Sequence, residues 1–189
     1  MLEEKKIPYR INHINMRSYG PKPDEFLDKV PSGLLPAIEL DGDLYTDSIS
    51  IMQLLDDEFK DYGPRMVPPD QSKRIEELYQ LERRLFGEWC RYMFEPGMPN
   101  LGFLTDGRKS SFEKLLTRVD SELKKSWDSK SNPWFLGGDS PSLIDLQFIT
   151  HVERMEASCV YWKGMRIRKS KWPNIDRWFD AFEARESYR

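Results

Sequence analysis

The sequence predicts two unlike parts, a small α/β domain over residues 1–64 and an all-helical domain over residues 70–189. Three observations predict this. Up to Tyr62, short apolar runs follow the order helix, strand, helix, strand, hairpin, strand, helix, which is an α/β pattern. Tyr62-Gly63-Pro64 and Pro68-Pro69 then punctuate a linker. Beyond it, apolar residues recur at helical spacing almost to the last residue.

Leu2–Lys6 reads as the end of a helix. Ile7, Tyr9, Ile11 and His13 fall on one face of an alternating run, which predicts a strand over Ile7–Ile14. Arg17–Pro23, with Ser, Gly and two Pro, is a loop. Asp24–Val30 fits about two helical turns, with Asp24 at the end where a carboxylate is favoured, and Pro31 and Gly33 stop it. Leu34, Leu35, Ala37, Ile38 and Leu40 read as a buried strand. Asp41-Gly42 is a two-residue hairpin signal, and Leu44 and Tyr45 begin the return strand. Asp47 and Ser48 stand before Ile49, Ile51, Met52, Leu54 and Leu55, a cap-type pair opening an apolar helix.

In the second part, Ile75, Leu78, Leu85, Phe86 and Trp89 mark a helix over Gln71–Phe94, and Glu95–Gly107 is a loop. Phe112, Leu115, Leu116, Val119 and Leu123 make a second amphipathic helix. Asn132-Pro133 and Gly137-Gly138 form a turn. A third helix spans Ser142–Met155. A fourth spans Trp172 to about Glu186, with Pro173 in its first turn.

One residue sits awkwardly in this scheme. Pro36 interrupts the stretch "VPSGLLPAIELDG", and proline cannot donate a ladder hydrogen bond. It marks a sheet edge, a bulge, or a cis peptide whose neighbouring backbone groups stay available to a ligand.

Composition narrows the function classes. The chain has 189 residues, 39% of them hydrophobic, and a net charge of −3 with both signs mixed. A general nucleic-acid binder would show a basic excess. No apolar run approaches the ~20 residues of a membrane span, and the MLEEKK start has no apolar signal region. Two cysteines, Cys90 and Cys159, fit neither a metal spacing nor a disulfide framework, so a reducing intracellular compartment is expected. No metal site is expected. The run "KGMRIRKSK" carries five basic residues from Lys163 to Lys171. It is a solvated loop, or a docking patch for an acidic protein or anionic headgroups.

Taken together, in order and spacing, "VPSGLLPAIELDG", "TDSISIMQLLDD" and "FLGGDSPSLIDL" resemble the glutathione S-transferase superfamily over nearly the whole chain. The run "LEEKKIPYR" is most similar to the omega-like and plant organellar soluble members. The resemblance implies a thioredoxin-like N-terminal domain, an all-helical C-terminal domain, glutathione as substrate or ligand, and a transferase or thiol-transfer lineage. It implies a homodimer or larger assembly in the cytoplasm or an organelle, a plastid included.

The family's residue roles carry over as follows. The proline matching Pro36 is cis, and Leu35 offers its backbone to the cysteinyl part of glutathione, as an added strand would dock. Ser48 holds the γ-glutamyl carboxylate at a helix N-terminus, where unpaired N–H groups and the dipole favour an anion. Asp47 faces the γ-glutamyl amine, where the family usually has Glu. Lys22, thirteen residues before Leu35, matches the lysine that approaches the glycyl carboxylate. Ser142 and Asp145 match a capping box, a folding element.

One departure bears on catalysis. Family members begin with a strand and a turn bearing the catalytic Tyr, Ser or Cys, and this sequence starts near the C-terminal end of the helix that follows. The sheet is therefore expected to lack its first strand, with the sequence a fragment or another segment filling the place. The catalytic residue is unknown. Cys90 and Cys159 read as small hydrophobes, and neither histidine belongs to a triad. The alternative function is a non-catalytic binding or scaffold subunit that keeps the fold.

Overall fold

The computed structural model describes residues 1–16, 20–95, 107–126 and 133–188. The chain divides into two units, Met1–Arg65 and Met66–Arg189. Residues 17–19 of the predicted Arg17–Pro23 loop, 96–106 of the predicted Glu95–Gly107 loop, and Asn132 of the predicted turn lie outside the described residues.

The first unit holds α1 (Leu2–Lys5), α2 (Asp24–Lys29), β1 (Ala37–Leu40), β2 (Asp43–Thr46) and α3 (Ser48–Glu58). The hairpin closes as its sequence requires. Asp41 and Gly42 both take positive φ, 54° and 93°, the condition of a two-residue turn that matches strand twist. That turn fixes an antiparallel register from Leu40 opposite Asp43 to Ala37 opposite Thr46. Ile7, Ile51 and Leu55 form the small core, with Ile38, Tyr45 and Phe59 packed on it.

Beside this core lies a buried ion pair. Lys5 Nζ donates to Asp56 Oδ1 at 2.8 Å, both side chains fully buried, and to the Pro64 carbonyl at 3.1 Å. Arg65 reaches the other Asp56 oxygen at 3.4 Å. A Cβ on Gly63 would lie 3.0 Å from Lys5 Cα, so only glycine allows the connector this approach.

Two expectations are corrected here. The run Ile7–Ile14 forms no strand. Ile7 is buried, but Tyr9, Ile11 and Ile14 are exposed. Alternation makes a strand only where an adjacent edge completes the ladder, and among the described residues β1 and β2 pair only with each other. The strand holding Pro36 begins at Ala37, leaving Leu34 and Leu35 outside it and exposed.

The second unit holds α4 (Ser72–Phe94), α5 (Gly107–Lys125), α6 (Leu143–Lys163) and α7 (Pro173–Glu183), with short 3-10 turns at Pro69–Gln71 and Glu186–Tyr188. Leu78, Leu85, Phe112, Leu116, Phe148 and Trp178 lie in one core, where burying each such side chain contributes roughly 2 kcal/mol. α6 runs two turns past the predicted end because Met155 and Cys159 continue its buried stripe. Gly164, at φ 61°, stops it, with the Met165 N–H returning to the Cys159 carbonyl at 3.1 Å.

Asp145 ties this unit together. Its Oδ2 accepts the Ser142 N–H at 2.8 Å and the Ser142 hydroxyl at 2.5 Å, and the Asp145 N–H returns to the Ser142 side chain, which completes the capping box at the α6 N-terminus. Its Oδ1 accepts the Phe135 N–H at 3.1 Å and the Trp178 indole N–H at 2.9 Å. One buried carboxylate thus joins the α6 cap, the preceding loop and α7. Burial pushes this carboxyl up, against the pull of its four donors.

Candidate functional site

The open end of the hairpin gathers four of the sequence-selected residues. Leu35 and Pro36 lead into β1, and Asp47 and Ser48 lead out of β2. The Leu35–Pro36 bond is cis. Leu35 is 63% exposed, and its backbone N–H and C=O find no partner among the described residues.

Asp47 is the N-cap of α3. Its Oδ2 accepts the Ser50 N–H at 2.9 Å and the Ser50 hydroxyl at 2.8 Å, and these bonds hold its carboxyl below the usual range. Asp47 takes φ 74°, a conformation side-chain-bearing residues rarely adopt, at a cost on the order of 1 kcal/mol or more. Ser48, half-buried, is the first helical residue. Its N–H belongs to the first turn, which has no intrahelical acceptor. A hydroxyl and a backbone donor therefore meet at the positive end of an eleven-residue helix.

Lys22 stands next to the same loop. A Cβ on Gly33 would lie 3.6 Å from Lys22 Cγ, which places the lysine stem against the turn that leads to Leu35. Lys22 is half-buried. Unit 1 thus presents an exposed backbone amide, a helix-terminal hydroxyl and N–H, a carboxylate and a lysine.

No described thiol is activated. Cys159 is fully buried in α6, and burial, with Glu156, pushes its thiol up to about 11. Burial also raises Cys90, against a smaller pull from Arg83. The Tyr9 phenol donates to Glu3 Oε1 at 2.5 Å, and that bond raises its pKa, the opposite of what an activated hydroxyl needs. His13 is exposed in the unpaired N-terminal segment.

The basic run is largely engaged within its own unit. Lys163 lies over the Tyr92 ring at 5.3 Å. Arg168 pairs with Asp180 at 2.5 Å and with Glu183, and Lys171 pairs with Glu113 at 2.8 Å. The run therefore works chiefly as a brace onto α5 and α7.

One polar pair escapes sequence reading. His151 Nδ1 lies 2.5 Å from Glu82 Oε1, across the seam between α4 and α6. Nothing local announces it, because neither sequence segment shows which helix faces the other.

Among the described residues no group of three or more His, Cys, Asp or Glu is arranged to hold a metal. No described helix is long and apolar enough to cross a membrane.

Comparison with known proteins matches both units. Residues 1–58 match the family model "Glutathione S-transferase, N-terminal domain". Residues 103–181 match "Glutathione S-transferase, C-terminal domain". Glutathione S-transferase DHAR2 of Arabidopsis thaliana is 26% identical over 187 residues, 99% of this chain and 77% of the relative. Glutathione S-transferase omega-1 of Mus musculus is 29% identical over 160 residues, 83% of this chain and 60% of the relative. The chain thus spans less than two thirds of that second protein. Among solved structures, glutathione transferase Omega 3C from Trametes versicolor superposes with a TM-score of 0.72 at 23% identity, covering 99% of this chain and 78% of that one. A Tau class glutathione S-transferase from mango does so with 0.78 at 18%, covering 98% and 81%. The fold is a thioredoxin-like N-terminal domain followed by a helical C-terminal domain.

Proposed function

The chain belongs to the glutathione S-transferase superfamily, on its omega-like side, and from that premise we propose that it binds glutathione on unit 1 and works in thiol transfer or conjugation. The carrying observation is the convergence at the hairpin's open end of Leu35, with an unpartnered backbone, and Ser48, at a helix N-terminus.

Each part of the tripeptide meets a group suited to it. The γ-glutamyl carboxylate is taken by the Ser48 hydroxyl and N–H, with the α3 dipole adding to the attraction. The γ-glutamyl amine faces Asp47, which stays ionised because its capping bonds favour the charged form. The cysteinyl residue pairs with the Leu35 backbone in the manner of an added strand. The glycyl carboxylate is met by Lys22. Cys90 and Cys159 take no part, since neither thiol is lowered. The Arabidopsis and mouse relatives are named as transferases, which favours the transferase reading over the non-catalytic scaffold. A homodimer belongs to the proposal as the assembly that family membership suggests.

Retention on immobilised glutathione tests the binding, and turnover with an electrophile or a mixed disulfide tests the chemistry. Retention with turnover is expected. A folded protein that passes through unretained overturns the proposal.

A further inference from the structure

The last turn of α6 turns two large aromatic side chains to solvent. Tyr161 is 76% exposed and Trp162 70%, their rings in an edge contact with centroids 4.7 Å apart. The end of α4 lies beside them. Trp89 Nε1–H donates to Ser158 Oγ at 3.1 Å, and Lys163 Nζ stands 5.3 Å from the centre of the Tyr92 ring. Phe94, 71% exposed, packs edge-on against Trp89 at 5.8 Å. A single exposed apolar side chain needs no explanation. Three exposed rings gathered where two helices end mark an interaction surface.

Charge indicates what meets this surface. The whole chain carries −3, yet Ala157–Trp172 holds five basic residues and no acidic one. Arg168 and Lys171 are engaged with α7 and α5. Arg166 and Lys169 are exposed, and with Lys163 they make no ion pair among the described residues. Two acids of the adjoining segments are already engaged. Glu156 accepts the Ile167 N–H at 2.6 Å and the Arg168 N–H at 3.2 Å, and Glu95 pairs with Arg91 at 3.7 Å. Tyr and Trp have an apolar body and a polar tip, which suits the boundary between lipid headgroups and acyl chains. An anionic leaflet attracts the cations that flank them.

We propose that this end of unit 2 docks on an anionic lipid surface. Tyr161, Trp162 and Phe94 seat among the headgroups, and Lys163, Arg166 and Lys169 pair with the lipid phosphates and carboxylates. The docking is peripheral and reversible, because a few rings and a few cations make a weak anchor beside a membrane span. It does not rest on the glutathione reading, and none of its residues belongs to the glutathione site.

Flotation of the full chain with lipid vesicles tests this. Vesicles of phosphatidylcholine with about a third phosphatidylserine should take the protein up at least tenfold better than phosphatidylcholine alone. Added salt should release it, because exposed charges are screened. Arg166→Gln/Lys169→Gln should weaken uptake by the anionic vesicles about tenfold or more. Tyr161→Ser/Trp162→Ser should also weaken it about tenfold, the worth of two rings taken out of water. All four side chains are exposed, so thermal unfolding should stay unchanged in both variants. Bromine-labelled acyl chains should quench wild-type fluorescence. Trp162→Phe should keep most of the uptake and lose much of that quenching, since Trp134, Trp172 and Trp178 are buried. No uptake by anionic vesicles, equal uptake by neutral ones, or double variants that bind like wild type overturn the proposal. Retention on immobilised polyglutamate without uptake by vesicles assigns the surface to an acidic protein partner and overturns it too.

Discussion

Ala37 and Thr46 are cross-strand partners at the open end of the hairpin, and each joins the chain directly to half of the candidate site. Pro36 and Leu35 precede Ala37, and Asp47 and Ser48 follow Thr46. Asp47 carries two roles there, as helix cap and as charge. Asp47→Asn keeps a cap acceptor and a residue tolerant of positive φ. It should leave thermal unfolding nearly unchanged while weakening glutathione severalfold. Asp47→Ala should also lower stability by roughly 1 kcal/mol. Equal glutathione affinity in wild type and Asp47→Asn would remove the amine contact.

Asp145 accepts four hydrogen bonds in a fully buried place. Asp145→Ala strands the Phe135 N–H, the Ser142 N–H and the Trp178 indole, at a cost of about 3 kcal/mol or more. Asp145→Asn should cost nearly as much, because its amide NH2 must oppose donors on one side. Urea unfolding gives both values, and a loss under about 1 kcal/mol for the alanine variant would contradict this view of Asp145.

Glu122, with a side chain 1% exposed, sits among Arg74 at 2.7 Å, Arg118 at 2.6 Å and Lys125 at 2.9 Å. Burial pushes its carboxyl up, but the three cations outweigh burial and bring it from 4.5 down to about 2. A carboxyl lowered by folding stabilises the fold fully above its unfolded value. That stabilisation is lost as pH falls from 4.5 through about 2. Unfolding midpoints measured across this window should fall less steeply in Glu122→Gln than in wild type. Parallel curves would contradict the assignment.

Lys5 and Asp56 form a fully buried pair. Lys5→Met takes from the buried Asp56 its 2.8 Å partner, and should destabilise unit 1 by about 3–5 kcal/mol. The double variant Lys5→Met/Asp56→Leu should recover most of that loss, since an apolar pair can replace a buried ion pair. Chemical unfolding of the two variants provides the comparison, and a double variant no more stable than the single one would go against it.

Local chemistry is what the sequence made legible. Asp41-Gly42 encodes its own turn, and Pro173 opens α7 because a first-turn residue loses nothing by lacking an N–H. Readings that depend on a neighbour failed. The Ile7–Ile14 alternation looks like a strand, but a ladder also needs an adjacent edge. Leu34 and Leu35 look like core, yet both are exposed outside β1. The Glu82–His151 contact spans 69 residues and follows from helix packing that no short window contains. Of the candidate site, the cap at Asp47 and the break at Pro36 could be read from residue types, while the position of Lys22 beside Gly33 required the folded loop.

Calorimetric titration of glutathione into wild type and Ser48→Ala tests the central claim most directly. Ser48 supplies the hydroxyl at the α3 N-terminus without acting as the cap, so its removal should spare the fold. Saturable binding by the wild-type protein and about tenfold weaker binding by Ser48→Ala are predicted, the worth of one hydrogen bond to a charged group. A folded wild-type protein that does not bind glutathione, or a Ser48→Ala variant that binds it equally well, would contradict the account.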